Sequence, residues 1–394
     1  MNDLPELRDQ GKMTETESSR EFLENLRRQS GQERQTFDAF SSYLLRKAKE
    51  QGVPLYGEFE LTPFCNLSCR MCYVHLTQEQ ANGRSLLSVD QWKDLIRQAY
   101  QAGMIHATLT GGECLTYPGF KELFLYLHSL GCEVTVFTNG VLLDQEWLDF
   151  FKAHTPAEIQ ITLYGNNDET YQRVTGVPAF TKVVRHIKIF QQSGLPVKIC
   201  VTPSVYLGED VFETIRTAYE LFPNVKINSN LFTPKEETGR SGQDDDPDVE
   251  MYIRMFRYVA SLRGQTLQTI DEARLPETGC PADGKQKPCG LLCGAGRACF
   301  SIDWKGKMVP CSMLREIMED PLQIGFEQAW KRINLAANSW PRPAECVECA
   351  YASVCNNCAA YMKQFARPGE KPEGLCRNTK KLVSAGVFSI PDCE

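Results

Sequence analysis

Short apolar runs and longer helical patterns alternate along residues 57–231. The short runs have the length and the β-branched and aromatic content of strands, whereas the segments between them repeat apolar residues at helical spacing. Six strands are predicted, at residues 57–61, 105–109, 133–137, 158–163, 197–201 and 225–231, with five helices between them, at residues 89–102, 120–129, 145–152, 181–192 and 211–221. Strands that alternate with helices indicate a parallel sheet of βα units. Without a dinucleotide fingerprint, the pattern favours an α/β fold closed as a partial (β/α)6 barrel, with its chemistry at the carboxyl ends of the strands.

The segments on either side of these units have a different composition. Residues 20–51 carry apolar residues at helical spacing among many Glu, Arg and Gln, which predicts one or two amphipathic helices. A polar stretch at residues 239–248 and a predicted helix at residues 251–262 precede a Cys-rich tail. The predicted organisation is a helical N-terminal extension (1–55), a barrel core (56–240), a helical linker (241–279) and a Cys-rich domain (280–394).

Charge and hydropathy narrow the classes of partner. The 394 residues carry a net charge of -7, which argues against nucleic acid as the main partner. No apolar run approaches the roughly 20 residues that span a bilayer. The N-terminal segment has no signal-peptide core. We therefore expect a cytoplasmic protein that binds neither nucleic acid nor membrane.

Cysteine is the most informative residue type in the chain. There are 17 cysteines, and 11 of them lie between Cys280 and Cys393. A reducing cytosol keeps thiols free, so this density indicates metal binding or catalysis. The alternative, a secreted protein rich in disulfides, is disfavoured because the sequence shows no export signal.

Three thiols, Cys65, Cys69 and Cys72, fall within eight residues directly after the first predicted strand. A loop at this place can wrap three thiolates around one [4Fe–4S] cluster. Three protein ligands leave one iron open to a small molecule. The alternative is a zinc site with a distant fourth ligand such as His75.

The segment CNLSCRMC resembles the CxxxCxΦC motif of radical S-adenosylmethionine enzymes, with Met71 in the hydrophobic place. The resemblance implies that S-adenosylmethionine chelates the open iron and is cleaved to a 5′-deoxyadenosyl radical that abstracts hydrogen. The cofactor, rather than a side chain, then performs the radical step. An external electron donor such as flavodoxin or ferredoxin is implied as a partner.

Polar and glycine residues follow the next strands. Gly111 and Gly112 allow a ligand to approach the backbone closely, and Glu113 supplies a carboxylate. The resemblance implies that these three residues are the GGE motif, which holds the methionine amino group. Thr138-Asn139-Gly140 ends the third predicted strand. An Asn-Gly pair is typical of a turn, and its place also puts it at the mouth of the barrel.

The resemblance carries over three further cofactor contacts. Thr162 stands where relatives often have Ser, and it keeps the hydroxyl. Arg173 falls where relatives place an arginine on the methionine carboxylate, which a planar guanidinium fits well. Leu231 matches a position whose backbone meets the adenine.

The tail can offer only thiolate-dominated metal sites, because all five histidines precede residue 187. Fe–S clusters and Cys₄ zinc sites both fit such ligands. Cys346, Cys349, Cys355 and Cys358 could form one zinc knuckle, but four flanking cysteines would then be idle. Cys114, Cys132 and Cys200 are predicted to pack in the barrel as small hydrophobes.

The tail resembles the SPASM domain of many radical enzymes, through Gly306 and Cys311 and through the CxxCxxxxxC spacing that begins at Cys346. The resemblance implies two auxiliary [4Fe–4S] clusters. The first would be held by Cys293, Cys299, Cys311 and Cys358, and the second by Cys346, Cys349, Cys355 and Cys376. Cys358 follows Cys355 after two residues where relatives have three, which puts the loop geometry in doubt. Cys289 could compete for the first cluster, and Cys280 and Cys393 have no assigned place.

Enzymes of this kind mostly modify peptides, so the sequence predicts a maturase of ribosomal peptides that forms a crosslink or oxidises a residue. The alternatives are a radical dehydrogenase of a small alcohol or sugar and, from another class, a non-catalytic iron–sulfur or zinc protein. A separate leader-binding protein is a possible partner. Ser312 follows Cys311 where sulfatase-maturing relatives carry Asp, so we do not expect formylglycine formation.

Overall fold

The computed structural model describes residues 40–72, 74, 76, 85–222, 225–227, 248–264 and 289–390. The chain divides into two compact units, Met1–Gln51 and Gly52–Glu394. In the first unit, residues 40–51 are helical, which confirms part of the predicted N-terminal helix. The second unit contains both the predicted barrel and the Cys-rich tail.

The second unit is built on one sheet of eight strands in the order β6-β5-β4-β3-β2-β1-β7-β8. The strands are β1 (Tyr56–Glu60), β2 (His106–Thr110), β3 (Glu133–Thr138), β4 (Glu158–Leu163), β5 (Val197–Val201), β6 (Val225–Ile227), β7 (Cys299–Ile302) and β8 (Met308–Val309). Strands β1 to β6 pair in parallel with their sequence neighbours. The predicted α/β class and the six barrel strands are therefore confirmed. Residues 228–231 of the predicted sixth strand lie outside the described residues.

The five helices predicted between the barrel strands are present, as is the one predicted at residues 251–262. The helices that the structure describes after strand β1 follow in chain order. They are α1 (Val89–Gln101), α2 (Phe120–Ser129), α3 (Gln145–Ala153), α4 (Asp168–Thr175), α5 (Phe180–Gln192), α6 (Asp210–Leu221), α7 (Val249–Leu262), α8 (Pro321–Ile324), α9 (Phe326–Asn338), α10 (Ala344–Val347), α11 (Ala359–Met362) and α12 (Glu373–Ser384). No helix within the described ranges is long and apolar enough to cross a membrane.

Helix α4 is an element that the sequence analysis did not predict. Asn167 caps its first turn by accepting from the Thr170 backbone N–H at 2.8 Å, and Gly176 ends it in a left-handed conformation. These are ordinary start and stop signals for a short helix. Its eight residues are too few for the apolar repeat on which the prediction relied.

The Cys-rich tail joins the barrel sheet directly. Strand β7 pairs in parallel with β1, with Gly57 opposite Phe300, and β8 returns antiparallel to β7. The hairpin that the sequence places around Gly306 therefore extends the sheet beyond its first strand. Since β7 follows β6 in the chain but lies beside β1 in the sheet, this pairing could not be predicted from the order of elements.

Aromatic packing shows that the barrel and the hairpin share one core. The Phe59 ring meets the rings of Trp92 and Phe300 edge-on, at centroid distances of 6.0 and 5.9 Å. Phe300 in turn contacts Phe326 and Trp330 of α9, at 5.1 and 6.1 Å. All five side chains are buried. Burying such large rings contributes strongly to stability, so this core fixes the tail against the first strand.

Candidate active site

The loop that carries the first three cysteines is held by backbone hydrogen bonds on two sides. On one side, Gly112 N–H donates to Thr62 O at 2.7 Å and Glu113 N–H to Phe64 O at 2.8 Å. On the other, Ser68 N–H and Arg70 N–H donate to the carbonyls of Thr175 and Val174, at 2.8 and 3.1 Å. The loop is thus fixed between the end of β2 and the last turn of α4.

Cys65, Cys69 and Cys72 share one pocket at the carboxyl end of β1. Burial is the main cause that raises the pKa of the Cys65 thiol to about 12 and the pKa of Cys69 well above its ordinary value. The neighbouring thiols raise both pKa values further. A site that disfavours negative thiolates so strongly needs positive charge to hold them, and iron ions would supply it. The donor set therefore fits an iron–sulfur cluster.

Gly111 and Gly112 form a turn after β2, and they allow this turn to lie in direct contact with the Cys loop. Gly111 has a φ of +146°, and a Cβ there would lie 2.5 Å from Thr62 O. A Cβ on Gly112 would lie 2.4 Å from Phe64 O. Both clashes are with backbone, which cannot move aside as a flexible side chain can. Close approach of the Cys loop explains the two glycines without any ligand.

Glu113 is the third residue of this turn. It is buried, and its carboxylate is held by two residues at the end of strand β3. Its Oε1 accepts from the Thr138 hydroxyl at 2.8 Å, and its Oε2 accepts from Asn139 N–H at 2.8 Å. Burial raises the pKa of Glu113, and these hydrogen bonds oppose the shift. Oε1 also accepts from Leu115 N–H at 3.2 Å. Each carboxylate oxygen has two acceptor positions, so the position left for a ligand amine is on Oε2.

Two hydrogen-bond donors to the sulfurs were missed as functional residues in the sequence analysis. The Asn139 side chain donates from Nδ2 to Cys65 Sγ at 3.5 Å, and the Tyr164 hydroxyl hydrogen-bonds Cys69. Both follow the ends of neighbouring strands, β3 and β4. Because parallel strands end at the same edge of a sheet, that position was the available signal.

The remaining predicted cofactor residues have different surroundings. Met71 is buried in the main core, and Thr162 lies opposite Cys200 in the sheet register. Arg173 donates to Tyr206 O at 2.9 Å and to Leu207 O at 3.3 Å, and it forms an ion pair with Asp210. Its guanidinium is thus already engaged by the segment before α6. Leu231 and His75 lie outside the described residues.

The tail cysteines fall into two groups. Cys346, Cys349 and Cys376 lie close enough to Cys355 for their charges to add to the burial that raises its pKa to about 11. The Thr379 hydroxyl donates to Cys355 Sγ at 3.5 Å.

The second group contains Cys293, Cys311 and Cys358. Burial raises the pKa values of Cys311 and Cys358, and the charge of Cys293 raises both pKa values further. Cys299 begins β7 opposite Tyr56, and Cys289 pairs with Pro341 in an isolated bridge. Cys280 and Cys393 lie outside the described residues. The structure thus brings together Cys346, Cys349, Cys355 and Cys376, and separately Cys293, Cys311 and Cys358, and their roles as cluster ligands stay predictions.

A buried ionic network joins the barrel to the loop after Cys311. Arg315 donates to both carboxylate oxygens of Glu60, at 3.2 and 3.1 Å, to Asp303 at 3.3 Å and to Ser312 O at 3.1 Å. The side chains of Glu60 and Asp303 are each 1% exposed and that of Arg315 is 9% exposed. Burial raises the pKa of Glu60 to about 7, although Arg315 opposes the shift.

The sequence offers no acid next to Cys311, but the fold brings one into place. The carboxylate of Glu58 on β1 accepts hydrogen bonds from the hydroxyls of Ser301 and Ser312. Burial raises the pKa of Glu58. Ser312, which has no acid beside it in sequence, therefore has one in the folded protein.

No three His, Cys, Asp or Glu side chains in the described part of the chain converge on a position for a single metal ion. A mononuclear zinc site requires its sulfurs at about 2.3 Å from one ion. The cysteine sulfurs of the described residues do not converge in this way.

Comparison with known proteins identifies the barrel. Residues 59–222 match the family model described as the radical SAM superfamily. The chain contains a radical SAM domain. The prediction of radical SAM chemistry is thereby confirmed, and with it the requirement for a [4Fe–4S] cluster and S-adenosylmethionine.

Several characterised proteins align with far more than this radical SAM domain. The AdoMet-dependent heme synthase of Methanosarcina barkeri is 27% identical over 84% of this chain and 98% of its own length. The antilisterial bacteriocin subtilosin biosynthesis protein of Bacillus subtilis is 25% identical over 87% of this chain and 75% of its own. The mycofactocin maturase of Mycobacterium tuberculosis is 25% identical over 79% and 78%.

Solved structures share the fold beyond the radical SAM domain. Streptococcus suis SuiB bound to S-adenosylmethionine superposes with a TM-score of 0.64 at 16% identity, over 83% of this chain and 78% of that one. Native anSMEcpe with bound AdoMet and a Kp18Cys peptide gives 0.64 at 17% identity, over 84% and 97%. At such low identity these matches establish the fold alone.

Proposed function

We propose that this chain is a radical SAM enzyme that abstracts hydrogen from a peptide substrate, as a maturase that forms a crosslink or oxidises a residue. The observation that carries the chemistry is the group of three thiols at the carboxyl end of β1, of which Cys69 is buried and Cys65 and Cys72 are half-buried, beside the Gly-Gly-Glu turn. The relatives named for subtilosin and mycofactocin support the peptide substrate.

In this proposal Cys65, Cys69 and Cys72 ligate the catalytic [4Fe–4S] cluster. When bound, the cluster and S-adenosylmethionine supply a 5′-deoxyadenosyl radical for hydrogen abstraction. The residues of the chain bind and orient: Gly111 and Gly112 bring the backbone turn against the Cys loop, and the buried Glu113 offers the free acceptor position of Oε2 to the methionine amino group.

Four further contacts to S-adenosylmethionine belong to the proposal, from Met71, Thr162, Arg173 and Leu231. Arg173 would exchange its ion pair with Asp210 for the methionine carboxylate. Such an exchange replaces one charged partner by another, so the guanidinium is paired in both states.

We further propose that the tail is a SPASM domain with two auxiliary [4Fe–4S] clusters. The grouping of Cys346, Cys349, Cys355 and Cys376, and separately of Cys293, Cys311 and Cys358, supports this assignment. Cys299 would complete the first set. The boundaries proposed for the domains are 1–55, 56–240, 241–279 and 280–394, although β7 shares the barrel sheet.

We expect about twelve irons per chain after anaerobic reconstitution, four for each of three cubanes. Replacing Cys346 and Cys349 with alanine should remove about four of them, because two ligands of one cube are lost. Iron and sulfide analysis measures both values. The control is Cys132→Ala, since Cys132 is buried in the barrel core away from the three groups. About four irons with stoichiometric zinc in the unmodified protein would contradict the auxiliary clusters.

A second candidate substrate is a precursor of heme. The observation that favours it is the alignment with the heme synthase, which covers nearly the whole of that relative. The two substrate classes differ in mass and in absorbance, so one assay distinguishes them.

We expect the reconstituted enzyme to form 5′-deoxyadenosine faster when a peptide substrate is present and to remove two hydrogens from it. The reaction contains S-adenosylmethionine, a reductant and a synthetic library of Cys-containing peptides. A parallel reaction contains a porphyrin precursor of heme. Mass spectrometry follows the substrates and chromatography follows 5′-deoxyadenosine. A mass change in the porphyrin with none in the peptides would contradict the maturase proposal.

Two partners complete the proposal. An external one-electron donor such as flavodoxin or ferredoxin would reduce the catalytic cluster. A separate leader-binding protein would present the peptide if the chain does not bind its leader. We expect the protein to act in the cytoplasm.

A further inference from the structure

The side-chain amide of Asn139 lies against the sulfur of Cys65. Its Nδ2 is 3.5 Å from Cys65 Sγ and 2.8 Å from Asn66 Oδ1. A second donor, the Leu67 backbone N–H, reaches the same sulfur at 3.4 Å. In this structure the sulfur belongs to a thiol, which stands in for the thiolate of a cluster-bound cysteine.

The surroundings of Asn139 fix the orientation of its amide. Val141 N–H donates to Asn139 Oδ1 at 3.0 Å, so the oxygen faces the turn and the NH₂ group faces Cys65. Its own backbone N–H is held by Glu113 Oε2. The residue is 6% exposed, which keeps water from competing for the sulfur. The amide is therefore an oriented donor rather than a mobile side chain.

We propose that Asn139 is a positioning residue of the catalytic cluster, which donates its amide N–H to the Cys65 sulfur and thereby raises the reduction potential of the cluster. The inference rests on the proposed ligand role of Cys65. Reduction adds negative charge to the cluster and its sulfurs. An N–H dipole directed at a sulfur stabilises the reduced state more than the oxidised state.

The same contact connects the cluster to the Gly-Gly-Glu turn. Glu113 holds the Asn139 backbone, and the Asn139 side chain holds the Cys65 sulfur. Two contacts therefore separate the Glu113 carboxylate from the cluster. This places Asn139 between the proposed amine site and the proposed iron ligand.

The test compares Asn139→Ser with the unmodified holoenzyme. A serine hydroxyl can still accept from Val141 N–H and keep the turn, but it is too short to reach the sulfur. Potentiometric titration followed by electron paramagnetic resonance gives the midpoint potential of the catalytic cluster. Its signal is identified as the one lost when Cys65, Cys69 and Cys72 are all replaced by alanine.

We expect a more negative midpoint potential in Asn139→Ser, with iron content unchanged. The matched control is His186→Ala. His186 Nδ1 lies 2.9 Å from Gly140 O and supports the same turn without touching a sulfur. A role of Asn139 in holding the turn alone would shift the potential in both variants. An unchanged potential in Asn139→Ser, or equal shifts in the two, would overturn the proposal.

A measurement on protein with Asn139 intact covers the case in which Asn139→Ser fails to assemble the cluster. Asparagine labelled with ¹⁵N in the side-chain amide is incorporated into an Asn66→Asp background, which removes the adjacent labelled amide. Pulsed resonance of the reduced catalytic cluster should detect the remaining nitrogen. Absence of that coupling overturns the proposal. Absence of the cluster signal itself would instead contradict the proposed ligands.

Discussion

Replacing Cys65, Cys69 and Cys72 together with alanine is expected to abolish 5′-deoxyadenosine formation while the tail still binds iron. The three thiols are the proposed protein ligands of one cluster, and no electron can reach S-adenosylmethionine through a cluster that is not assembled. Chromatography of the nucleoside products after incubation with reductant measures the loss. Iron analysis should show about eight irons left on the tail.

The control for this variant is Cys114→Ala. Cys114 is fully buried one residue after Glu113, and its thiol lies 3.2 Å from Phe137 O. It is thus a neighbouring thiol outside the proposed ligand set, and we expect nucleoside formation to persist without it. Continued cleavage of S-adenosylmethionine in the triple variant would refute the central assignment.

The features that the sequence predicts correctly are those encoded locally. The strand at Glu158–Leu163 and the helix at Phe120–Ser129 are found with the predicted bounds, because an alternating pattern or a helical repeat lies within each segment. Cys65, Cys69 and Cys72 are similarly close in sequence, so one loop is enough to bring them together.

Contacts between distant segments could not be predicted in the same way. Arg315 and Glu60 are 255 positions apart, and their pairing depends on β7 adding to the sheet beside β1. The approach of Glu58 to Ser312 depends on the same strand pairing. Nothing in either segment by itself indicates the other, so the sequence analysis could not identify an acid that approaches Ser312.

Asn139 shows a different limit of the sequence analysis. Its Asn-Gly pair does form a turn, with Gly140 at a φ of +78°, as the local pattern indicates. The same residue, Asn139, favours the turn through its backbone and donates a hydrogen bond through its side-chain amide. Only the three-dimensional position of Cys65 shows that the side chain also faces a sulfur.

Replacing Arg315 with methionine is expected to destabilise the protein by about 3–5 kcal/mol, the usual cost of removing one partner from a buried ion pair. Methionine fills much of the space of the arginine stem but leaves Glu60 and Asp303 without their cation. Urea unfolding of the reconstituted holoenzyme, followed by circular dichroism, measures the change. The matched control is Arg332→Met in helix α9, where the ion pair with Glu319 is half exposed and the cost should stay within about 1 kcal/mol.

The dependence of this effect on pH separates lost charge pairing from lost packing. Burial raises the pKa of Glu60 to about 7 even with Arg315 present, and removing the guanidinium raises that pKa further. An unfolded glutamate ionises near pH 4.3, so the folded state binds more protons across the interval between the two pKa values and stability falls as the pH rises through it. At a low pH Glu60 is protonated, and its burial without Arg315 costs the variant little stability. At a higher pH the variant must either bury an unpaired carboxylate charge or keep Glu60 protonated at a pH where an exposed glutamate is ionised, and either costs stability. The deficit of Arg315→Met should therefore be larger at pH 8 than at pH 6. A deficit that is equal at both pH values would show that the guanidinium stabilises the fold through packing, and the ionic link between strand β1 and the loop after Cys311 would then be incidental.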